Sequence, residues 1–326
     1  MMTDPSVPPP WLRWTRAFGI ACIVVVGMGY LVANLAQSTE LGIDGRLYAA
    51  AARAWMEGLD PWSVEVGGVG LAAPPPALLV AGPFAMLPPE LTGPATMVLA
   101  ASCAAVAAYL TRAQWWWLLS IPVLEGVLVG SFDLLALAFA IMAVRDGASR
   151  RRLGGAAVAA LAKLYAIVPM VALGHWKAVA ATLTALVVTA PLVPWQRYIE
   201  LSPELATRLL EQAKGGTGSP WASPWLVAPT IVALVALGRR DGAWLLVPAL
   251  WPAVQIHYSV FMLPVGSPVL AFAMLVPLPA QAASAVIALA VVRGWQGRLD
   301  PWSWVPGDRR PADHRSPPPI SGGRGA

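Results

Sequence analysis

The chain has 326 residues, of which 57% are hydrophobic and only 12% charged, and its formal net charge is +5. Soluble domains carry about twice that charged fraction, so the composition excludes an ordinary soluble protein. The long apolar runs are continuous rather than alternating, which excludes a transmembrane β-barrel and predicts an all-α, polytopic integral membrane protein. The arginines stand in short clusters between these runs, which indicates membrane topology and predicts no nucleic-acid partner.

Composition divides the chain into three parts. Residues 1–10 are rich in proline, and residues 294–326 in proline, glycine and arginine, so both ends are predicted to be disordered. Residues 11–293 form the predicted membrane domain. Its first helix is predicted over residues 17–35, and the arginines just before it place the N-terminus inside the cell.

Residues 42–76 follow as a semi-polar segment, predicted to lie at the outer face. Within it, Asp44 to Gly58 has helical character, with an apolar stripe that includes Tyr48. This pattern predicts a short helix on the outer membrane surface, with Trp55 and Trp62 at the depth of the membrane interface.

The apolar runs that follow predict the remaining helices. The run between Pro76 and Pro88 is too short to cross a bilayer comfortably. Further spans are predicted over residues 96–110, 115–129, 132–144, 178–193, 226–237 and 244–256. The basic cluster from Arg145 to Arg152 is the strongest inside marker, and it places the turn at residues 130–133 on the same outer side as Asp44.

Three later segments carry specific expectations. Residues 153–174 predict two short helices that meet near Lys163 and return the chain inside. Residues 195–225 predict a polar loop with a short helix that begins at Pro203. Of the apolar runs 260–275 and 281–292, one is predicted not to span, because the basic tail belongs inside.

Four ionisable residues in these segments are candidates for chemistry. Asp44 is either a general base at the outer face or the N-cap of the surface helix. Lys163 is either a cation that pairs with a phosphate or a lysine that extends to the membrane interface. His257 can donate to a phosphate or a sugar hydroxyl, or be a satisfied interfacial histidine. Asp133 is predicted to line the same cavity as Asp44.

Five basic residues on the outer segments are candidates for an anionic headgroup, or else belong to a solvated surface. They are Arg46, Arg53, Arg197, Arg208 and Lys214. Arg46 and Tyr48, both next to Asp44 on the first outer segment, join Asp133, Lys163 and His257 as the predicted substrate-binding residues. No metal-ligand spacing is present in the sequence, and no metal or other cofactor is predicted.

Three stretches together resemble a known enzyme family. GIDGRLYAAAARAWMEGLDPW with the following APPPALLVAGPFAMLPPE resembles the first outer loop of glycosyltransferase family 87. GSFDLLALAFAIMAVRDGASRRRLGGAAVAALAKLYAIVPMVAL is similar to its glycine-led helix, basic turn and lysine-containing helix pair. HYSVFMLPV is similar to its late histidine-containing boundary. The resemblance covers residues 13–275.

The resemblance implies a GT-C-type helical bundle in the cell membrane, with its active site on the outer face. It implies transfer of a sugar, most often mannose, from a polyprenyl-phosphate donor to a glycolipid or glycan acceptor. By the resemblance, Asp44 matches the catalytic aspartate, and Lys163 and His257 match positions near the lipid phosphate. Two other classes stay open, a lipid or solute transporter and a non-catalytic membrane subunit.

Overall fold

A computed structural model describes residues 10–37, 41–145, 150–214, 219–253 and 255–304. About 80% of this part of the chain is helical. Its only strands are β1 (Glu65–Val66) and β2 (Val69–Gly70), which form a two-stranded antiparallel hairpin in the described chain. The all-α class predicted from the sequence is therefore confirmed.

Fourteen α-helices follow one another within the described ranges. They are α1 (Pro10–Gln37), α2 (Ile43–Met56), α3 (Pro76–Ala85), α4 (Pro89–Thr111), α5 (Ile121–Leu128), α6 (Phe132–Arg145), α7 (Arg150–Ala162), α8 (Ile167–Ala172), α9 (Trp176–Thr189), α10 (Trp195–Lys214), α11 (Val227–Leu237), α12 (Arg239–Leu250), α13 (Pro268–Ala273) and α14 (Gln281–Trp295). Short 3-10 helices lie at Pro61–Ser63, Trp115–Leu119, Leu164–Ala166, Ala190–Leu192, Pro220–Ala222, Pro224–Leu226, Ile256–Val265 and Pro301–Trp304.

Two helices of the described chain are long and apolar enough to cross a membrane, the α1 segment Ala17–Gln37 and α4. Up to four segments qualify if each of two bent pairs is one span: α5 with α6, bent by 117°, and α9 with α10, bent by 104°. The apolar helix α3 has 10 residues, which agrees with the prediction that the run after Pro76 is too short to cross. These lengths support association with a membrane.

Helix α6 is the central helix, because 10 of its 14 residues are buried and it packs against α4 and α7. Asp133, in its first turn, and Arg145, its last residue, lie about 18 Å apart along the helix axis at 1.5 Å per residue. Arg145 donates to Leu110 O at the end of α4, and Arg152 donates to Val144 O. One end of the bundle is therefore basic, as the sequence predicts.

Helix α2 differs from the predicted surface helix. Seven of its residues are buried, because it packs against α3 on one side and α4 on another. Trp62 is 2% exposed, and its indole N–H donates to Ala73 O at 3.1 Å. Neighbouring segments of this chain cover the ring of Trp62, so it packs inside the protein, and its depth in the membrane stays a prediction.

The N-terminus of α2 is capped by α5 rather than by its own side chain. The backbone N–H groups of Gly42 and Asp44 donate to Leu128 O and Val129 O at 2.7 and 3.0 Å. Unpaired donors at the start of one helix thus meet unpaired acceptors at the end of another. Asp44 lies in the first turn of α2, and Gly42 occupies the N-cap position with φ +64°. The prediction that Asp44 is the N-cap is therefore wrong.

Close backbone contact between α2 and α4 fixes this arrangement. A Cβ atom on Gly42 would lie 2.5 Å from Gly93 Cα, and one on Gly45 would lie 1.8 Å from Thr96 Oγ1. Thr96 is buried and its hydroxyl donates to Gly93 O, so it has little room to move. Only glycine allows the two helices to approach this closely.

The predicted break at Lys163 is present. α7 ends at Ala162, Lys163 is extended with φ −148° and ψ 116°, and a 3-10 turn leads into α8. The chain then returns to the basic end, where the Arg152 Nη2 atom lies 3.3 Å from His175 Nδ1.

Two other segments differ from the sequence-based expectation. α10 continues through Pro203 instead of beginning there, because its apolar stripe, which includes Leu201 and Leu205, packs on both sides of the proline. Residues 294–304 also have defined structure: Asp300 N donates to Ala236 O, and Ser303 Oγ accepts from Arg239 N at the start of α12. The predicted disorder of residues 1–9 and 305–326 falls outside the described residues.

Gly45→Ala is expected to lower the free energy of unfolding by about 1–3 kcal/mol, because the added methyl group overpacks the contact between α2 and Thr96. Gly82→Ala, in α3, is the matched control: nothing lies within 4 Å of its added Cβ, so we expect no loss of stability. Thermal unfolding of the purified proteins in detergent measures both changes. Equal melting temperatures for the two variants would contradict the close contact.

Candidate functional site

A cleft of about 190 Å³ opens beside the first half of α2. Its walls come from α2, from the hairpin and the residues up to Pro74, from the break at Lys163 to Tyr165, and from the segment that contains Trp251 and His257. Tyr198 and Leu209, 11 positions apart on α10, also line it. α10 therefore forms part of the wall of the cleft.

A buried ion pair lies directly behind the cleft. Asp133, in the first turn of α6, has 0% exposure, and its Oδ2 lies 3.5 Å from Lys163 Nζ. Ser131, in the turn before α6, donates its hydroxyl to the same oxygen. A carboxylate in this apolar interior is stable only with such partners. Lys163 reaches it because the chain breaks its helix at that residue.

His257 connects the buried carboxylate to the cleft. Its Nε2 atom lies 3.3 Å from Asp133 Oδ2 and 3.7 Å from Asp44 Oδ2. The Asp44 side chain is 19% exposed, whereas that of Asp133 is sealed. The two aspartates therefore have different environments: Asp44 meets the cleft, and Asp133 holds the groups behind it.

Two phenol rings enclose the Lys163 ammonium group. Its Nζ atom lies 5.1 Å from the ring centre of Tyr48 and 5.6 Å from that of Tyr258, within the range of cation–π attraction. Burial raises the pKa of the Tyr48 phenol above its usual value, so its hydroxyl stays neutral and can donate a hydrogen bond. Both rings therefore restrict where Lys163 can point.

The structure brings together five of the six predicted site residues. Asp44, Tyr48, Lys163 and His257 line the cleft. Asp133 was also predicted to line it, but it is fully buried behind them, where it pairs with Lys163. Arg46 is placed elsewhere: its side-chain stem lies near Gly93 of α4, and it does not line the cleft. Asp44 and Arg46 are two positions apart on a helix and so point in nearly opposite directions.

The other basic candidates serve the fold. Arg53 donates to Ala85 O and Leu87 O just after α3, and Arg208 donates to Trp62 O and Leu71 O at 3.0 and 3.1 Å. Arg197 forms a 2.8 Å ion pair with Asp60. The side chain of Lys214 lies outside what the structure describes. Arg197 and Arg208 together fasten α10 to the segment that follows α2.

Sequence reasoning missed the aromatic half of the cleft. Tyr165, Trp251 and Gln255 line it together with Tyr258. Tyr165 follows the candidate Lys163 by two residues, and Gln255 precedes the candidate His257 by two residues. This closeness in sequence is the signal that could have indicated Tyr165 and Gln255 as site residues. That they share one cleft with Trp251 becomes visible only when α7, α8 and α12 are packed together.

The site combines a cleft-facing carboxylate, an ammonium group, an imidazole and four phenols. This set can accept a proton at Asp44 and can donate hydrogen bonds to an anion or a hydroxyl. Within the described ranges, no group of three or more His, Cys, Asp or Glu side chains is arranged to hold a metal ion. The absence of a cofactor stays a prediction.

Comparison of the chain with protein-family models, with curated proteins and with solved structures returned no match. The resemblance to glycosyltransferase family 87 therefore stays a prediction that rests on the sequence stretches themselves.

Lys163→Met is expected to lower the free energy of unfolding by about 3–5 kcal/mol, because it leaves the Asp133 carboxylate buried without its cation. The double variant Asp133→Asn/Lys163→Met is expected to recover part of that loss, since both charges are then removed. Thermal unfolding of the single and double variants measures the coupling.

Asp241→Asn is the control for this pair. Asp241 pairs with Arg293, but both side chains are only partly buried, at 19% and 22% exposure. We expect a loss of about 1 kcal/mol or less. Strictly additive effects of Asp133→Asn and Lys163→Met would contradict an energetic coupling between the two.

Proposed function

We propose that this protein is a membrane glycosyltransferase that transfers a sugar from a polyprenyl-phosphate donor to a glycolipid or glycan acceptor, and that this sugar is mannose. The observation that carries the proposal is the position of Asp44. Its carboxylate is the one that reaches the cleft, 3.7 Å from His257, while a second carboxylate, Asp133, holds Lys163 behind it. The sequence resemblance assigns catalysis to the same residue.

In the proposed reaction, a hydroxyl of the acceptor attacks the anomeric carbon of the donor sugar. The new carbon–oxygen bond forms while the bond from that carbon to the phosphate oxygen breaks, with inversion at the carbon. Asp44 takes the proton of the attacking hydroxyl, and the polyprenyl phosphate leaves as the anion. A positioned base of this kind contributes about 10²–10⁴ to the rate.

The other site residues have supporting roles in this proposal. Lys163 faces the leaving phosphate, because it is the permanent cation among the described residues that line the cleft. His257 donates to the phosphate or holds Asp44 in its ionised form, since its Nε2 atom faces that carboxylate. Asp133 acts through others: it keeps Lys163 and His257 in place.

One observation favours a second candidate, a proton-coupled lipid or solute transporter. The network from Asp44 through His257 to Asp133 and Lys163 joins ionisable residues from α2, α6, the α7–α8 break and the late 3-10 segment. Such networks at membrane depth also mark proton pathways. The enzyme is preferred because Asp133 is sealed behind the cleft, where it pairs with Lys163, whereas the Asp44 side chain is 19% exposed and can accept a proton from a ligand in the cleft.

Asp44→Asn is expected to lower the rate of sugar transfer by about 10²–10⁴, because the amide cannot accept the proton. Transfer of radiolabelled mannose from a polyprenyl-phosphate donor in isolated membranes measures this. Glu57→Gln, the same change at an exposed position just after α2, is the control and should transfer normally. Normal transfer by Asp44→Asn would remove Asp44 from the mechanism. Solute uptake coupled to a proton gradient, without any transfer, would favour the transporter.

The proposal also places the cleft at the outer face and the basic end inside. In a chain whose two cysteines, Cys22 and Cys103, are replaced by alanine, Ser63→Cys should react with an impermeant maleimide in intact cells. Arg151→Cys should react only after the membrane is opened. Both positions are exposed on the protein, so the difference reports the side of the membrane. Labelling with the opposite pattern would overturn an outer-face active site.

A further inference from the structure

Part of the cleft wall is aromatic. The ring of Tyr165 lies 5.3 Å from that of Trp251, at an interplanar angle of 62°, and 5.0 Å from that of Tyr258. All three line the cleft, and Trp251 is half-buried. Aromatic faces of this kind pack against the C–H groups of a sugar ring while their polar atoms reach its hydroxyls.

The hydroxyl of Tyr165 is the group of this aromatic wall that packing does not explain. The side chain is 5% exposed, and its hydroxyl oxygen is buried without a hydrogen-bond partner among the described residues. A buried hydroxyl without a partner is unfavourable. A phenylalanine would pack against Trp251, Tyr258 and Phe261 equally well without that penalty. Packing therefore explains the ring of Tyr165 but not its hydroxyl.

Tyr165 also lies close in the chain to Lys163, which faces the phosphate in the proposed reaction. Tyr165 follows Lys163 by two residues in the same 3-10 break, so the two side chains line neighbouring parts of one cleft. Gln255, half-buried and also in the wall, adds an amide that can donate and accept. A phosphate near Lys163 with a sugar attached would place that sugar beside the aromatic residues.

We infer that Tyr165, Trp251 and Gln255 form the subsite that recognises the sugar of the donor, with the Tyr165 hydroxyl bound to a sugar hydroxyl. This inference rests on the proposed function and adds the residues that distinguish a glycosylated lipid phosphate from the bare lipid phosphate. The sugar supplies the partner that the Tyr165 hydroxyl lacks. Lys163 and the lipid chain contribute equally to binding of both lipids.

The test compares two lipids on the purified full chain in detergent: a short polyprenyl-phosphate mannose and the same polyprenyl phosphate without sugar. Tyr165→Phe should weaken binding of the mannose lipid about tenfold and leave binding of the sugar-free lipid unchanged. Its melting temperature without lipid should be equal to or higher than that of the wild type, because an unpartnered hydroxyl is removed. Tyr109→Phe, at an 81% exposed position on α4, should change none of these values.

The possible failures separate the subsite from the proposed function. If the wild type binds the mannose lipid more tightly than the bare lipid and Tyr165→Phe keeps that preference, the subsite is overturned and the function stands. Equally weakened binding of both lipids by Tyr165→Phe also overturns the subsite, as does a lower melting temperature of this variant. Either result would indicate that the hydroxyl has a role in packing. If the wild type binds both lipids equally, the subsite is overturned and the proposed function stands. If the wild type binds neither lipid, the proposed function and the subsite are overturned together.

Discussion

The constraint on which this structure depends is the burial of one carboxylate. Asp133 has no exposed surface and lies at the start of the most buried helix of the described chain. Because an isolated charge there is strongly unfavourable, cationic and hydrogen-bonding groups must reach it from elsewhere. Lys163 does so from a break between two helices and His257 from the start of a 3-10 segment. One buried charge therefore draws three distant segments to a common point.

The second determinant is a backbone fit that brings Asp44 to the same point. The donors at the start of α2 pair with the acceptors at the end of α5, and glycines at positions 42 and 45 let α2 lie directly on α4. Asp44 is thus held by rigid helices rather than by a mobile loop. Because α2 is fixed in this way, the distance between the Asp44 carboxylate and His257 stays constant. The proton acceptor of the proposed reaction needs such a fixed position.

Most arginines near these elements act on the fold. Those at positions 53, 145, 152 and 239 donate to carbonyl groups at or just after the C-terminal ends of α3, α4, α6 and α8. Unpaired carbonyls at helix ends are ready acceptors, and a cation there is favoured by the helix dipole. This use of arginine leaves Lys163, among the described cleft residues, as the permanent cation that can meet an anionic ligand.

Local patterns in the sequence predict the all-α class, the basic end, the break at Lys163 and the four ionisable candidates Asp44, Asp133, Lys163 and His257. These follow from local signals: apolar runs, clustered arginines and charges that an apolar segment rarely carries. Only the tertiary structure decided that α2 is buried, that Asp44 does not cap it, that Arg46 lies away from the cleft and that Tyr165, Trp251 and Gln255 share its wall. Those facts depend on which helix faces meet, and contacts between residues far apart in the chain leave no periodic trace in the sequence.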